Sequence, residues 1–257
     1  MLSLIVPAYN EQDYLPALLN SVEIARSHHN TENTSMEVII ADNCSTDRTA
    51  EVALSYGCRV VRVEKTVIAA VRNAGAAAAK GDILMFVDAD SVIHRDTFNA
   101  VERAMSEPGI IGGATGIRME RMSPGIALSY WAMVPMLWIT GIDTGVVFCR
   151  KKDFIATDGY NEEVLFAEDV QFLMNLKQLG RSRDQKLVKL HSTRAITSAR
   201  KFDERGDWHY FTILARGFLG FFLPAAHFNK FARKYWYENQ RDNQNSSETS
   251  TGMAKAL

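Results

Sequence analysis

The sequence predicts an α/β fold built on a mainly parallel central sheet flanked by helices. Three observations carry that expectation. The chain has 257 residues, the size of one α/β domain. Its composition, 47% hydrophobic and 23% charged, is that of a globular protein with a substantial core. Short apolar runs alternate with helical patterns through the first half, as βαβ units require.

Leu2–Val6 reads as the first strand, with Pro7 expected to close it because proline cannot continue a central strand. Tyr14 to Arg26 places Leu15, Leu18, Leu19 and Val22 on one helix face. Glu37–Ala41 and Val60–Val63 are the next strands, and Ser45 and Thr46 between them read as a capped helix start. Val67 to Lys80 contains seven alanines and no proline, which favours a helix, with Gly81 as its C′ stop. Ile83–Val87 follows as a strand and ends in Asp88-Ala89-Asp90. The second half is less regular: a strand near Ile110–Thr115, an apolar helix, a strand near Gly145–Cys149, and a helix from about Ala167 to Leu179 ending at Gly180. Residues 1–237 are expected to form a single unit, and the polar stretch 238–257 a disordered tail.

A net charge of −1 gives no global reason to bind nucleic acid. Cys44, Cys58 and Cys149 are too far apart for a zinc motif or a disulfide framework and fit reduced cytosolic thiols, while the opening MLSLIVPAYNE lacks a secretory leader. A cytoplasmic protein is expected. Two apolar runs qualify this. Residues 125–142 contain Pro135, and 213–228 contain Arg216 and Pro224, so neither is expected to span a membrane. Each suits a core helix, a protein interface such as a homo-oligomer, or contact with a membrane surface.

Asp88 and Asp90 leave the carboxyl end of a strand, where open α/β sheets bind ligands. Alternate carboxylates there can hold one hard divalent cation, Mg²⁺ or Mn²⁺, which in turn takes phosphate oxygens. The competing reading is a pair of turn aspartates, one capping a helix that starts near His94. Val6-Pro7-Ala8-Tyr9-Asn10-Glu11 and Ala41-Asp42-Asn43-Cys44-Ser45 end the first two strands at the same sheet edge. Asp42, Glu11 and the Pro7–Tyr9 wall are the groups a nucleotide needs, whereas Ser45 and Asp47 also suit plain helix caps.

VPAYNE, DNCSTDRT, the Arg72–Gly75 segment RNAG before GDILMFVDAD, and Phe166-Ala167-Glu168-Asp169 occur in that order, and the chain resembles a family 2 glycosyltransferase of GT-A fold over roughly residues 2–182. The resemblance implies inverting transfer of a sugar from a UDP- or GDP-linked donor to an acceptor hydroxyl, the acceptor being unknown and lipid-linked in one reading. It puts Pro7, Tyr9 and Glu11 beside the nucleoside, Asp42 on the base and Arg72 on the nucleotide. Asp88 and Asp90 would hold the ribose or diphosphate through the metal, and Asp169, next to Glu168, would be the catalytic base. Asn43 and Cys44 stand where the family often has an acidic residue and a glycine. The stretch Thr197–Trp208 resembles a further basic segment of the family, in which Arg200, Lys201 and Arg205 would clamp a diphosphate or an acidic acceptor, the competing reading being surface salt bridges, and His191 is a candidate third metal ligand. The other readings are a non-catalytic nucleotide-sugar or glycan-binding protein and a sugar nucleotidyltransferase. The first strand is not followed by the Gly-rich loop of the latter, nor by the GxGxxG of a hydride-transfer enzyme.

Overall fold

β1 (Leu2–Ala8) is buried along its whole length. Leu2, Leu4 and Val6 face one apolar layer and Ile5 the other, so both faces of the strand need a cover. The computed structural model describes residues 1–30, 35–128, 131, 144–164 and 167–208. Within them β1 pairs in parallel with β2 (Met36–Asp42) on one side and β4 (Ile83–Phe86) on the other, and β3 (Arg59–Arg62) extends the β2 edge. β8 (Val147–Arg150) is antiparallel to both β4 and β6 (Ile110–Ala114), and β9 (Lys186–Lys189) is parallel to β6. The order is β3-β2-β1-β4-β8-β6-β9, with β8 the reversed member of a mainly parallel sheet.

The helices divide between the two faces. α1 (Leu15–Ser27) and α4 (Thr97–Ser106) cover one with Leu15, Leu18, Val22, Phe98 and Val101. α3 (Ile68–Ala78) and α6 (Glu168–Arg181) cover the other with Ala69, Ala76, Phe172, Leu173 and Leu176. Between them lie the short α2 (Thr49–Ser55) and α5 (Lys151–Ala156). A second, three-stranded sheet of β5 (Ser91–Val92), β10 (Ala195–Thr197) and β7 (Ile117–Met119) sits just past the carboxyl end of β4, and α7 (Arg200–Arg205) follows β10. No helix among the described residues is long and apolar enough to cross a membrane. Most of the run 125–142, and all of 213–228 and 238–257, lie outside the described residues.

Five expectations need correction. Pro7 does not end β1; it pairs in register with Ala41, and the strand runs on to Ala8. Ala8 accepts from Asn43 on the β2 side and Ile5 accepts from Val87 on the β4 side. Strand groups alternate in direction, so the missing Pro7 N–H falls on the β4 side, where the ladder has ended at Phe86. Gly81 is not a left-handed helix stop, since α3 ends at Ala78 with Ala79 extended as its cap. Gly81 is needed for close approach instead: a Cβ there would lie 2.6 Å from Ser3 Oγ and 2.8 Å from the Met1 carbonyl. Ser45 and Thr46 do not cap α2, whose first amide, Thr49 N–H, donates to Asp47 Oδ1. α6 runs through Gly180 to Arg181, and α4 starts at Thr97 with Asp96, not a DxD aspartate, at its cap position.

α3 lies close to β1 because its inner face carries the small residues Ala69, Gly75 and Ala76. A Cβ on Gly75 would collide with Ile5 Cγ2, and Ile5 is fully buried and has nowhere to go. Gly75→Ala is therefore expected to destabilise the fold by about 1–3 kcal/mol through overpacking, outweighing alanine's better helix propensity. Urea unfolding of the variant against the parent measures it, and an unchanged midpoint would mean that α3 can shift away from β1.

Candidate active site

β1, β2, β4, β6 and β9 run the same way, so their carboxyl ends and the loops that follow share one edge. The first two loops are laced together. Asn10, at a left-handed φ of 53°, donates its N–H to Ser45 Oγ, and its side-chain oxygen accepts the Thr46 N–H. Glu11 N–H donates to Thr49 Oγ1 and Gln12 N–H to Asp47 Oδ2. Ser45, Thr46 and Asp47 thus join the loop after β1 to the loop after β2. Asp42, buried at the end of β2, accepts weakly from Ser45 N–H at 3.3 and 3.4 Å. Pro7 is buried within β1, and Tyr9 is half-buried in the turn that follows.

The two departures in the DNCS loop now have physical reasons. Asn43 donates through its one side-chain nitrogen to the carbonyls of Val63 at 2.7 Å and Lys65 at 3.0 Å, tying the β2 end to the segment after β3. A carboxylate there would face two acceptors. Cys44 has a φ of 57°, the left-handed conformation that glycine adopts without strain.

Arg72 is the centre of the site. It projects from α3 into the interior, with its side chain 7% exposed. Nη2 donates to Asp88 Oδ1 at 2.7 Å, Nη1 lies 2.9 Å from Glu168 Oε1, and the guanidinium covers the Tyr160 ring at 5.2 Å. Nε has no partner among the described residues. Burial works against its charge, but Asp88 and Glu168 outweigh it and hold the guanidinium protonated. Tyr160 is itself fixed, stacked on Phe172 at 4.6 Å and edge-on to Phe86 at 5.1 Å. The neighbouring Asn73 clamps the Tyr160 backbone from both sides, accepting its N–H at 2.9 Å and donating to its carbonyl at 2.9 Å.

Glu168 and Asp169 open α6 after Ala167, whose left-handed φ of 56° turns the chain into the helix. Burial pushes the Glu168 carboxyl above the usual carboxylate range; Arg72 opposes this and Asp169 adds to it. Burial also raises Asp169, again against Arg72 and with help from Asp88. Burial and like charge therefore outweigh the helix amides at this terminus.

A second cluster forms at the same edge. Arg200, at the start of α7, grips Glu11 through both terminal nitrogens at 2.9 Å each. Its Nη2 is 3.7 Å from Asp90 Oδ2, and its guanidinium covers Tyr14 at 4.3 Å. Glu11, expected beside the nucleoside, thus has an arginine as its close neighbour. Asp88 and Asp90 belong to different clusters, one held by Arg72 and one approached by Arg200. His191 is exposed in a 3₁₀ turn with Nδ1 3.4 Å from Arg194, and among the described residues no group of three or more His, Cys, Asp or Glu gathers as a protein-only metal cage. Phe166 and the side chains of Lys201 and Arg205 lie outside what the structure describes. Tyr160, Tyr14 and Asn73 carry site geometry that the sequence reading missed, although Asn73 lies inside RNAG and so within a recognised motif.

Residues 3–137 match the family model described as Glycosyl transferase family 2. An uncharacterized glycosyltransferase of Haemophilus influenzae is 45% identical over 191 residues, covering 69% of this chain; the chain spans 62% of that relative's length. Among solved structures, S. aureus TarS residues 1–349 in complex with UDP-GlcNAc superposes with a TM-score of 0.57 at 21% identity, covering 77% of this chain and 58% of that one. Glucosyl-3-phosphoglycerate synthase from Mycobacterium tuberculosis, in complex with Mn²⁺, UDP and glucosyl-3-phosphoglycerate, gives a TM-score of 0.55 at 18% identity, covering 84% and 79%. These likenesses establish the fold as GT-A.

Asn43→Asp tests the lacing of the DNCS loop. The new carboxylate would face the Val63 and Lys65 carbonyls in a buried position, so a loss of about 1–3 kcal/mol is expected at neutral pH. Its folded-state pKa would lie above the unfolded value, because a protonated acid can donate where the ion cannot. The penalty should therefore shrink as pH falls through that raised pKa. Thermal unfolding of both proteins from acid to neutral pH measures it, and a loss that is equal at all pH values would contradict the assignment.

Proposed function

The chain belongs to glycosyl transferase family 2, and from that premise we propose that it is an inverting glycosyltransferase. It would move a sugar from a nucleoside-diphosphate donor to an acceptor hydroxyl, with Asp169 as general base and Asp88 and Asp90 sharing a Mg²⁺ or Mn²⁺ ion with the diphosphate. The observation that carries this reading is the meeting at one sheet edge of a half-buried, burial-raised Asp169 with both DxD carboxylates and two arginines.

The donor set suits a hard cation. Both candidate ligands are carboxylates, Asp88 is about half exposed at 53%, and Mg²⁺ commonly takes only one or two protein carboxylates, completing its shell with phosphate oxygens and water. Charge supports the same conclusion. Glu11, Asp88, Asp90, Glu168 and Asp169 outnumber Arg72 and Arg200 five to two, so an anionic diphosphate would enter an already negative site. A bound cation supplies local positive charge to the leaving diphosphate. The chain's own residues do the rest. Asp42 accepts from the nucleobase edge and Tyr9 walls the nucleoside. The Asp169 carboxylate accepts the acceptor's hydroxyl proton while that oxygen attacks the anomeric carbon. The bond to the diphosphate breaks on the opposite face, and its electron pair leaves with the nucleoside diphosphate, inverting the centre. Glu168, gripped by Arg72, positions the start of α6 and keeps a second negative charge beside the base.

UDP is the first nucleotide to test, because the two structural neighbours were solved with UDP or UDP-GlcNAc. Unpaired thiols and the exposed Trp131 and Trp208 fit a cytoplasmic enzyme with an acceptor held near a membrane surface. A binding-only protein would have no use for a raised carboxylate at the edge that holds the DxD.

Thermal shift with UDP, GDP and dTDP plus Mn²⁺, followed by transfer assays with the matching nucleotide sugars, tests the reading. Asp169→Asn should keep nucleotide binding and lose about 10²–10⁴-fold in turnover; loss of binding instead would displace Asp169 from the base role. The double change Asp88→Ala with Asp90→Ala should abolish Mn²⁺ dependence.

The pH profile carries its own sign. The base must be ionised, and its pKa is raised, so turnover should fall as pH drops through a point above the ordinary carboxylate range. Glu168→Gln removes a like charge and leaves Arg72 to act on Asp169, so the acid limb should move to lower pH. Loss of most of the turnover together with the acid limb in Glu168→Gln would mean that Glu168, not Asp169, is the titrating base.

A further inference from the structure

Arg200 is set differently from Arg72. Ser198 N–H donates to the Asp90 carbonyl at 3.2 Å, and Thr197 pairs with Ser91, so the segment that delivers Arg200 is anchored on the backbone beside the DxD. Its guanidinium grips Glu11, lies on Tyr14 and comes within 3.7 Å of the Asp90 carboxylate. One positive charge therefore serves two carboxylates, and one of these is assigned to the metal.

That arrangement gives the charge opposite effects on two ligands. A divalent cation arriving alone at Asp90 meets a fixed like charge at close range, which lowers its affinity. When a diphosphate arrives with the cation, its oxygens accept from the guanidinium and lie between the two positive groups, so the same charge raises affinity. We propose that Arg200 is a positioning residue that makes cation capture at Asp90 conditional on the diphosphate, holding Glu11 and Asp90 until the anion arrives. The proposal rests on the metal-assisted reading above. Linkage makes it reciprocal: whatever the diphosphate adds to cation affinity, the cation adds to diphosphate affinity.

Mn²⁺ titrated into the full chain with and without UDP, and followed by electron paramagnetic resonance, tests this without any turnover. The quantity read is the ratio of the Mn²⁺ dissociation constant without UDP to that with UDP. In Arg200→Gln the ratio should fall about tenfold, with Mn²⁺ alone binding more tightly and Mn²⁺ with UDP more weakly. Arg200→Lys keeps the charge and should retain most of the ratio. Glu11→Gln releases the guanidinium from its stronger partner and should enlarge the ratio, which keeps the test decisive where Arg200→Gln does not fold. A purely structural pin would change melting temperature and leave the ratio alone. The proposal is overturned if the ratio in a folded Arg200→Gln equals the parent's, or if it falls in Glu11→Gln. If the parent binds no Mn²⁺ even with UDP, the metal reading fails and the proposal with it. Mn²⁺ binding with UDP alongside unmoved ratios in the variants sinks the proposal alone.

Discussion

A guanidinium buried between Asp88 and Glu168 ties together three elements that are distant in the chain: α3, the end of β4 and the start of α6. A charge at that depth is tolerable only because both carboxylates and the Tyr160 face surround it. Removing one partner of such a pair typically costs about 3–5 kcal/mol, since the other charge stays buried and uncompensated. The conditions that hold Arg72 therefore also hold the site. The small inner face of α3 brings the guanidinium down to the sheet, Asn73 clips the Tyr160 turn beneath it, and the aromatic cluster of Phe86, Phe154 and Phe172 fixes the ring.

The same constraint distinguishes the surroundings of Glu168 and Asp169. Both open one helix and both are raised by burial, but Arg72 forms its ion pair with Glu168, at 2.9 Å. A carboxylate gripped by a buried arginine is a poor proton acceptor, because taking a proton forfeits the ion pair. In the proposed mechanism this favours its neighbour Asp169, raised chiefly by burial and further by Asp88, as the base. Under that proposal the acidic pair is unequal, and the Arg72–Glu168 ion pair makes it so.

The features that reached the sequence are those governed by local rules. Strand positions followed from apolar runs, and helix α1 from its Leu15, Leu18, Leu19 and Val22 stripe. The carboxyl-edge placement of Asp42, Asp88 and Asp90 followed from parallel connectivity. The misses arise where a local rule was overridden by a neighbour far along the chain. Pro7 stays in β1 because β4 has already stopped at Phe86, and Gly81 is fixed by Ser3 rather than by a helix end. Arg200 and Glu11 are 189 residues apart, so no periodicity could join them; their fork exists because β10 pairs with β5 just past the DxD. Asn43 looked like a lost carboxylate, but its amide makes two bonds that a carboxylate could not.

A cavity among the described residues lies away from the DxD, and its charges are already paired. A space of about 420 Å³ is lined by Pro108, Arg150, Lys152, Asp153, Arg183 and Gln185. Arg150 is opposite Ile83 in the β8–β4 ladder, which puts the cavity at the amino edge of the sheet, away from the DxD. Its arginines are already committed. Arg150 donates to the carbonyls of Ile110 and Met105 at 2.7 Å each, and Arg183 donates to the buried Asp153 at 2.6 Å. At the carboxyl edge the balance is reversed, with carboxylates in excess and two arginines each shared between two acids. The chain thus gathers carboxylates at the carboxyl edge, where the proposed cation and diphosphate would meet them, and commits Arg150 and Arg183 at the other edge to holding α4, β6 and α5 together.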